Sequence, residues 1–341
     1  MANVFLRSPY YVAKDMGVTG GLSIKLKLTV AGSLAYTIIK NRVNSDVLNF
    51  EISELIRDYL DIGYNGTPVT SDFSTVTSYV LEVYSGQDAT GTLISTDTDS
   101  FFTIDAYGYF KEGSNPTTTK GYMQSNDVIY NLNNQGIRLP IDRNNATDWD
   151  AYENGAIFES GTFTTSATEV FEYITVSENA DELRITTTDG VKIIKIITVD
   201  ECRFNPYKIS FVNKLGGLQD MYFFKKSKES LSIKKESYKS NIISEYGIYD
   251  STNHVNRDFN VIGNESISLS SGYLSEEYNE VFKQLLLSEK VWMTEVTGLT
   301  DVIIPINVKE SSLNYKTSVN DKLVDYTIKF DKAFDTINNI R

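Results

Sequence analysis

Histidine and cysteine are almost missing from this chain. Of 341 residues one is a histidine, His254, and one a cysteine, Cys202. A single cysteine excludes an intrachain disulfide, and a thiolate metal cage would need ligands from other subunits. A single histidine, set in the polar stretch Ser251-Thr-Asn-His-Val, leaves a His-based triad or a zinc site with almost no raw material. His254 reads as a loop or strand-end residue. Long apolar runs are missing as well. No segment approaches the roughly 18 residues of a membrane helix, and residues 1–30 lack the apolar core and small-residue cleavage site of a secretory signal. Basic charge is short: 45 acidic residues against 32 basic ones leave a formal charge of −13. That balance favours solubility and argues against wrapping a polyphosphate backbone over the whole surface. No membrane and no specific nucleic acid are expected as partners.

Tyrosine and phenylalanine are abundant, 22 and 17 residues, and with Thr, Ile and Val they suit pleated, half-buried surfaces better than helices. The expected fold class is mainly β, in several β-sandwich or β-barrel-like modules, with one short N-terminal helix and one C-terminal amphipathic helix. The length allows two or three domains with cores of their own.

Residues 1–108 read as an N-terminal β-rich domain. Leu22, Ile24, Leu26 and Leu28 alternate with polar residues, Ala31-Gly32-Ser33 turns the chain, and Thr75–Tyr84 repeats the period of two. Between them Ile52, Leu55, Ile56, Tyr59 and Leu60 fall at helical spacing and Gly63 follows, which predicts a short helix over Glu51–Leu60. Residues 109–200 read as a loop-rich segment, Asn-, Asp- and Gly-rich from Gly108 to Gly161 and interrupted by short strands, followed by a small all-β unit. In that unit Asp189-Gly190 signals a hairpin. Residues 201–341 read as a C-terminal β domain with one helix, Glu276–Ser288. Ser275 is its expected cap, and Tyr278, Val281, Phe282, Leu285 and Leu286 form its apolar stripe. Strands are expected at Val302–Val308 and Val324–Phe330.

Few constellations point to chemistry. Asp97, Asp99, Asp142, Asp148 and Asp150 lack the spacing of a calcium loop and read as solvated loop acids. Gly216-Gly217 precedes no helix, so it is a turn and not a phosphate cradle. No paired carboxylates stand at a recognisable glycosidase motif. The chain is expected to be no enzyme and to need no cofactor. Between Lys208 and Lys239, eight lysines against three acidic residues leave a local charge of +5. Lys225, Lys226, Lys228, Lys234 and Lys235 are the interface candidates: either they meet acidic surface on a neighbour, or they are a solvated edge strand defended by lysine.

The segment Tyr207-Lys-Ile-Ser-Phe-Val-Asn-Lys-Leu-Gly-Gly-Leu-Gln-Asp-Met-Tyr-Phe-Phe resembles a hairpin of virion structural proteins of tailed double-stranded DNA bacteriophages, of the type found in phages of Bacteroidetes-like hosts. The closing pieces look like the C-terminal region of the same family. They are Phe282-Lys-Gln-Leu-Leu-Leu-Ser-Glu-Lys-Val-Trp, Ile304-Pro-Ile-Asn-Val-Lys and Ser312-Leu-Asn-Tyr-Lys-Thr-Ser-Val-Asn-Asp-Lys-Leu-Val-Asp-Tyr-Thr-Ile-Lys-Phe. Arg7-Ser-Pro-Tyr-Tyr and Ile52–Leu60 resemble the family's N-terminal domain more loosely, and 109–200 match nothing. The resemblance covers roughly 200–341 and carries no catalytic residues. It implies a structural component of the particle, in the tail or baseplate and next the neck or connector. Such a chain assembles in the host bacterial cytoplasm with other virion proteins and with copies of itself, as a homo-oligomer within a larger body. From another class, Tyr107, Trp149 and Tyr152 near loops suggest a host-attachment or carbohydrate-binding module.

Overall fold

The computed structural model describes residues 3–17, 20–43, 46–201, 203–295, 302–310 and 323–337. The chain is mainly β, arranged in several sheets, with two α-helices among the described residues. Each large sheet draws its strands from one consecutive stretch of chain.

The first stretch holds β1 (Asn3–Phe5), β2 (Tyr11–Asp15), β3 (Ser23–Val30), β4 (Ser33–Asn41), β5 (Val47–Glu51), α1 (Ser53–Arg57), β6 (Ser74–Tyr84), β7 (Leu93–Ile104) and β8 (Thr117–Thr118). Six of these make a sheet in the order β4-β3-β6-β7-β1-β8, antiparallel except for β1 beside β7. Ile24, Leu26, Leu28 and Val30, the alternating set, are buried. The β2–β5 ribbon and α1 cover them with Val12, Phe50 and Ile56. The β3–β4 turn uses Ala31 and Gly32 at φ +50 and +78, a region glycine enters without strain. Helix α1 is shorter than the periodicity of Glu51–Leu60 predicts: one turn, with no side-chain cap, too short to persist without packing.

The second stretch holds β9 (Val128–Leu132), β10 (Ile137–Asp142), β11 (Ala146–Glu153), β12 (Ala156–Thr162), β13 (Phe171–Val176), β14 (Glu182–Thr187) and β15 (Gly190–Val199). The sheet β12-β11-β14-β15-β9 faces the pair β10–β13, and Leu139, Ile141, Trp149, Leu183 and Ile194 share the core between them. The span from 108 to 161, expected to be loop-rich with short strands in it, is irregular as far as Asp127 apart from β8 and one short 3-10 turn, and beyond that it is more strand than loop. Strands β9 to β12 fill most of its second half, because Ile137, Leu139, Ile141, Trp149 and Ala151 alternate through the polar residues and are buried.

The third stretch holds β16 (Tyr207–Val212), β17 (Leu218–Phe223), β18 (Lys228–Lys239), β19 (Asn256–Ser270), β20 (Leu274–Ser275), α2 (Tyr278–Leu287), β21 (Val291–Glu295), β22 (Val302–Val308), β23 (Leu323–Val324) and β24 (Thr327–Lys332). Seven strands follow the order β17-β16-β21-β22-β24-β19-β18. Only Phe224–Ser227 joins β17 to β18 at the opposite end of that order. Six strand spacings would span about 29 Å in a flat sheet, whereas that link reaches about 17 Å. The sheet therefore curls like a barrel. Helix α2 packs Tyr278, Val281, Phe282 and Leu285 into the interior, where Phe282 meets Phe223 and Tyr326. Ser275 does not cap it. Ser275 is held in β20, Glu277 occupies the N-cap position, and no side chain caps the helix. The family-like piece from Ser312 to Lys322, and Cys202, lie outside the described residues.

Candidate interaction surfaces

Two successive hairpins of the third stretch carry the features singled out by the sequence. The first, β16–β17, ends in the turn Asn213–Gly217 and is driven into the junction of all three stretches. Asn213 is fully buried. Its Oδ1 accepts from the amides of Leu215 (2.9 Å) and Gly217 (3.2 Å), while its Nδ2 donates to the Met123 carbonyl at 2.8 Å. The Tyr107 amide donates to the Lys214 carbonyl at 3.0 Å, and the Leu218 amide to the Tyr173 hydroxyl at 3.0 Å. Gly216 stands at φ +80, and a Cβ on Gly217 would meet the Pro140 ring at 2.7 Å. The glycine pair is a turn, and the reason is close approach. Around it Phe73, Ile104, Met123, Phe171, Leu215 and Trp292 share one apolar cluster.

An ion pair crosses the same junction. Arg138 of β10 donates to Asp220 of β17 at 2.5 Å and to the Tyr64 hydroxyl at 3.0 Å, and lies over the Tyr64 ring. Burial pushes the Arg138 pKa down, but Asp220 and Tyr64 outweigh it and raise the pKa, so the guanidinium stays charged.

The second hairpin, β18–β19, leaves the body. All twelve residues of β18 are exposed, as are Asn256–Val261 of β19 and most of the connection between the strands. Only Ser266–Ser270 of β19 pair with β24. Gly263–Glu265 are still tied to the C-terminal segment, the Gly263 carbonyl accepting from the Thr336 amide at 2.8 Å and Glu265 pairing with Lys332. The seven residues before them, Asn256–Ile262, face β18 alone, an arm about 24 Å long at strand rise. The arm is not polar throughout: Leu231, Ile233, Tyr238, Ile243, Tyr246, Ile248, Tyr249, Phe259 and Val261 are all exposed, Ile233 by 59% and Tyr246 by 87%. His254 lies in its terminal connection, exposed.

The five candidate lysines sit at the base and along the outer strand of this arm. Lys225 pairs with Glu201 at 2.8 Å and Lys235 with Asp258 at 2.6 Å. Lys226, Lys228 and Lys234 are exposed and have no ion-pair partner among the described residues. The structure thus brings the lysines onto one ribbon, and adds to them the apolar side chains that charge counting missed. The alternation at Leu231 and Ile233 was the available signal.

The acidic candidates separate. Asp97 and Asp99 lie on β7, Asp97 paired with Lys14. Asp142 is fully buried, which corrects its reading as a solvated acid. Asn3, Asn145 and the Asn144 amide donate to it at 2.6, 2.7 and 2.9 Å, and burial raises its pKa against the pull of those bonds. Asp148 accepts from Thr186 and Thr147, both at 2.7 Å. Among the described residues no group of three or more His, Cys, Asp and Glu is placed to hold a metal ion. No helix of the described residues is long and apolar enough to cross a membrane. The aromatic residues suggested for glycans are not at loop tips: Trp149 belongs to the second core, Tyr107 is buried beside Arg7, and Tyr152 stacks under Arg184. At the mouth of the third sheet a cavity of about 310 Å³ lies beside Tyr207, Leu231, Ile267, Met293 and Lys332, with Lys332 tied to Glu265.

No family model matches the chain, and no curated protein is detectably similar to it. Among solved structures, extracellular domains 3–5 of Drosophila OTK are similar over 77% of this chain and 88% of that one, at 9% identity and a TM-score of 0.20. A likeness that slight carries no argument about fold or role.

Proposed function

We propose that the chain is a structural component of a tailed bacteriophage virion, in the tail or baseplate and next the neck or connector, acting through contacts with copies of itself and with other virion proteins. The observation that carries the assembly half of this reading is the β18–β19 arm. A two-stranded ribbon is marginal by itself, and this one leaves large apolar side chains in water from Leu231 to Val261 beside an open edge strand. Such a surface is an interaction site or an aggregation hazard, and partner strands or surfaces would remove both costs. The virion half rests on the resemblance of Tyr207–Phe224 and the closing segments. Trp149 and Tyr107, two of the three aromatic side chains on which a carbohydrate-binding reading stood, are buried, and the third, Tyr152, is half-buried under Arg184. Quantitative mass spectrometry of purified tailed particles from cells carrying this gene tests the proposal. The chain is expected at a fixed multiple of the other structural proteins, and its presence in the lysate with absence from the particles would overturn the reading.

A further inference from the structure

We propose that the open edge of β18 in one copy pairs with the open edge of β12 in the next, extending the second sheet of that neighbour through a head-to-tail contact between copies. This rests on the reading that the chain assembles with itself, and it names the surfaces. Each strand pairs on one side only among the described residues, β18 with β19 and β12 with β11. Each therefore presents a row of unpaired backbone donors and acceptors, which is what strand addition uses. Both also expose apolar side chains, Leu231 and Ile233 on β18 and Ile157 and Phe158 on β12.

Charge selects β12 from the other sheet edges. From Lys225 to Lys239 there are six lysines and two glutamates, whereas β12 holds Glu159 and β11 beside it holds Asp148, Asp150 and Glu153, with no lysine or arginine on either strand. Lys228 and Lys234 on one side, and Asp150 and Glu153 on the other, have no ion-pair partner among the described residues. The remaining outer strands of the three large sheets fit less well. β4 carries Lys40 and no carboxylate, β8 is two residues long, and β9 and β17 are largely covered by the neighbouring stretches. A second β18 would oppose lysine with lysine. Lys228 stands at the base of the arm, opposite Ser268, and Lys234 stands where the arm leaves the sheet, opposite Ile262, so from Lys234 outward β18 offers its edge clear of β24. Because the two surfaces differ, the contact is heterologous and repeats, closing into a ring or running on as a filament.

The test is sedimentation of the purified full chain and three variants across a range of salt. Wild type is expected to self-associate, less so as salt screens the charges. Lys228→Glu with Lys234→Glu, and separately Asp150→Lys with Glu153→Lys, should each weaken association by roughly tenfold or more with the melting temperature unchanged. All four substitutions in one chain should restore it. Three results would overturn the contact: a wild type that stays monomeric at its highest soluble concentration, an Asp150/Glu153 variant that associates like wild type, or a four-fold variant that stays dissociated. The second of these would point to a different partner for the arm. The virion reading fails separately. A chain that associates as described but is missing from purified particles keeps the contact and loses the virion assignment.

Discussion

The hairpins β16–β17 and β18–β19 follow one another in the chain, separated by Phe224–Ser227, and meet opposite fates. The first is buried on both faces and closes the junction of three sheets; the second stands in solvent along twelve residues of β18. Their sequences differ in kind. Tyr207–Val212 and Leu218–Phe223 hold large apolar residues at most positions, and among the few polar ones Ser210 donates to Asp220 and Gln219 to Asn126. Lys228–Lys239 carries only Leu231, Ile233 and Tyr238 among lysine, serine and glutamate. A strand with so little apolar area gains too little by burial to be drawn into the body, yet keeps enough to make its exposure costly. The comparison separates residues that hold this protein together from residues left for a partner.

The largest effects should come from the junction. Replacing Phe171, fully buried against Phe73 and Tyr173, by alanine is expected to cost about 3–5 kcal/mol in a denaturant melt. A cost below about 1 kcal/mol would show that the three sheets are stable without their shared cluster. Arg138→Ala should cost somewhat less, toward the low end of about 3–5 kcal/mol, because it leaves the part-buried Asp220 without its counter-charge. Arg138→Met combined with Asp220→Leu should recover most of that loss, and failure to do so would mean that the contact to Tyr64 matters more than the charge pair.

Alkali should attack the same region. Burial pushes the Tyr107 hydroxyl up to about 12 and raises those of Tyr122, Tyr173 and Tyr278. Tyr173 and Tyr278 accept from the amides of Leu218 and Tyr130 across the joints. Since the folded pKa lies above the unfolded one, the stabilisation is fully present below about pH 10. It falls away as pH rises toward the folded values, each such hydroxyl losing about 1.4 kcal/mol for every pH unit between its unfolded and folded pKa. Phenolate absorbance from these four should therefore appear together with unfolding. If it appears while the fold is intact, the joints are open to solvent.

Asn213→Ala is the next smaller change, at about 1–3 kcal/mol, since it strands the amides of Leu215 and Gly217 and the carbonyl of Met123. At the low end lies the arm. Leu231→Ser with Ile233→Ser should move the stability of the free chain by no more than about 0.5 kcal/mol. Limited proteolysis should cut first within 240–255, where nearly every residue is exposed. Cleavage first between 128 and 162 would instead mean that β9–β12 open readily and that the span expected to be loop-rich behaves as one.

The alternation of Ile24, Leu26 and Leu28, the turns at Gly32 and Gly190, the strand at Val302–Val308 and the apolar stripe of α2 were all legible, because each depends on local period and backbone preference. The strands of 128–162 were harder to read, since Asn, Asp and Gly between them carry the signal of turns while the alternation at Ile137–Ile141 is brief. Ser275 has the chemistry of a cap but is held in β20 by pairing with β23, a long-range contact that local spacing does not contain. The lysines around 225–239 were visible as charge and as an edge. That they ride on a ribbon projecting from the body depends on where β19 stops pairing with β24, and a strand of either fate has the same period of two. Outside 128–162, sequence alone determined where the main strands run, because side-chain alternation and turn chemistry act within a few residues. Only the tertiary structure decided which hairpin is buried, because burial depends on what area the rest of the chain can bring to cover it.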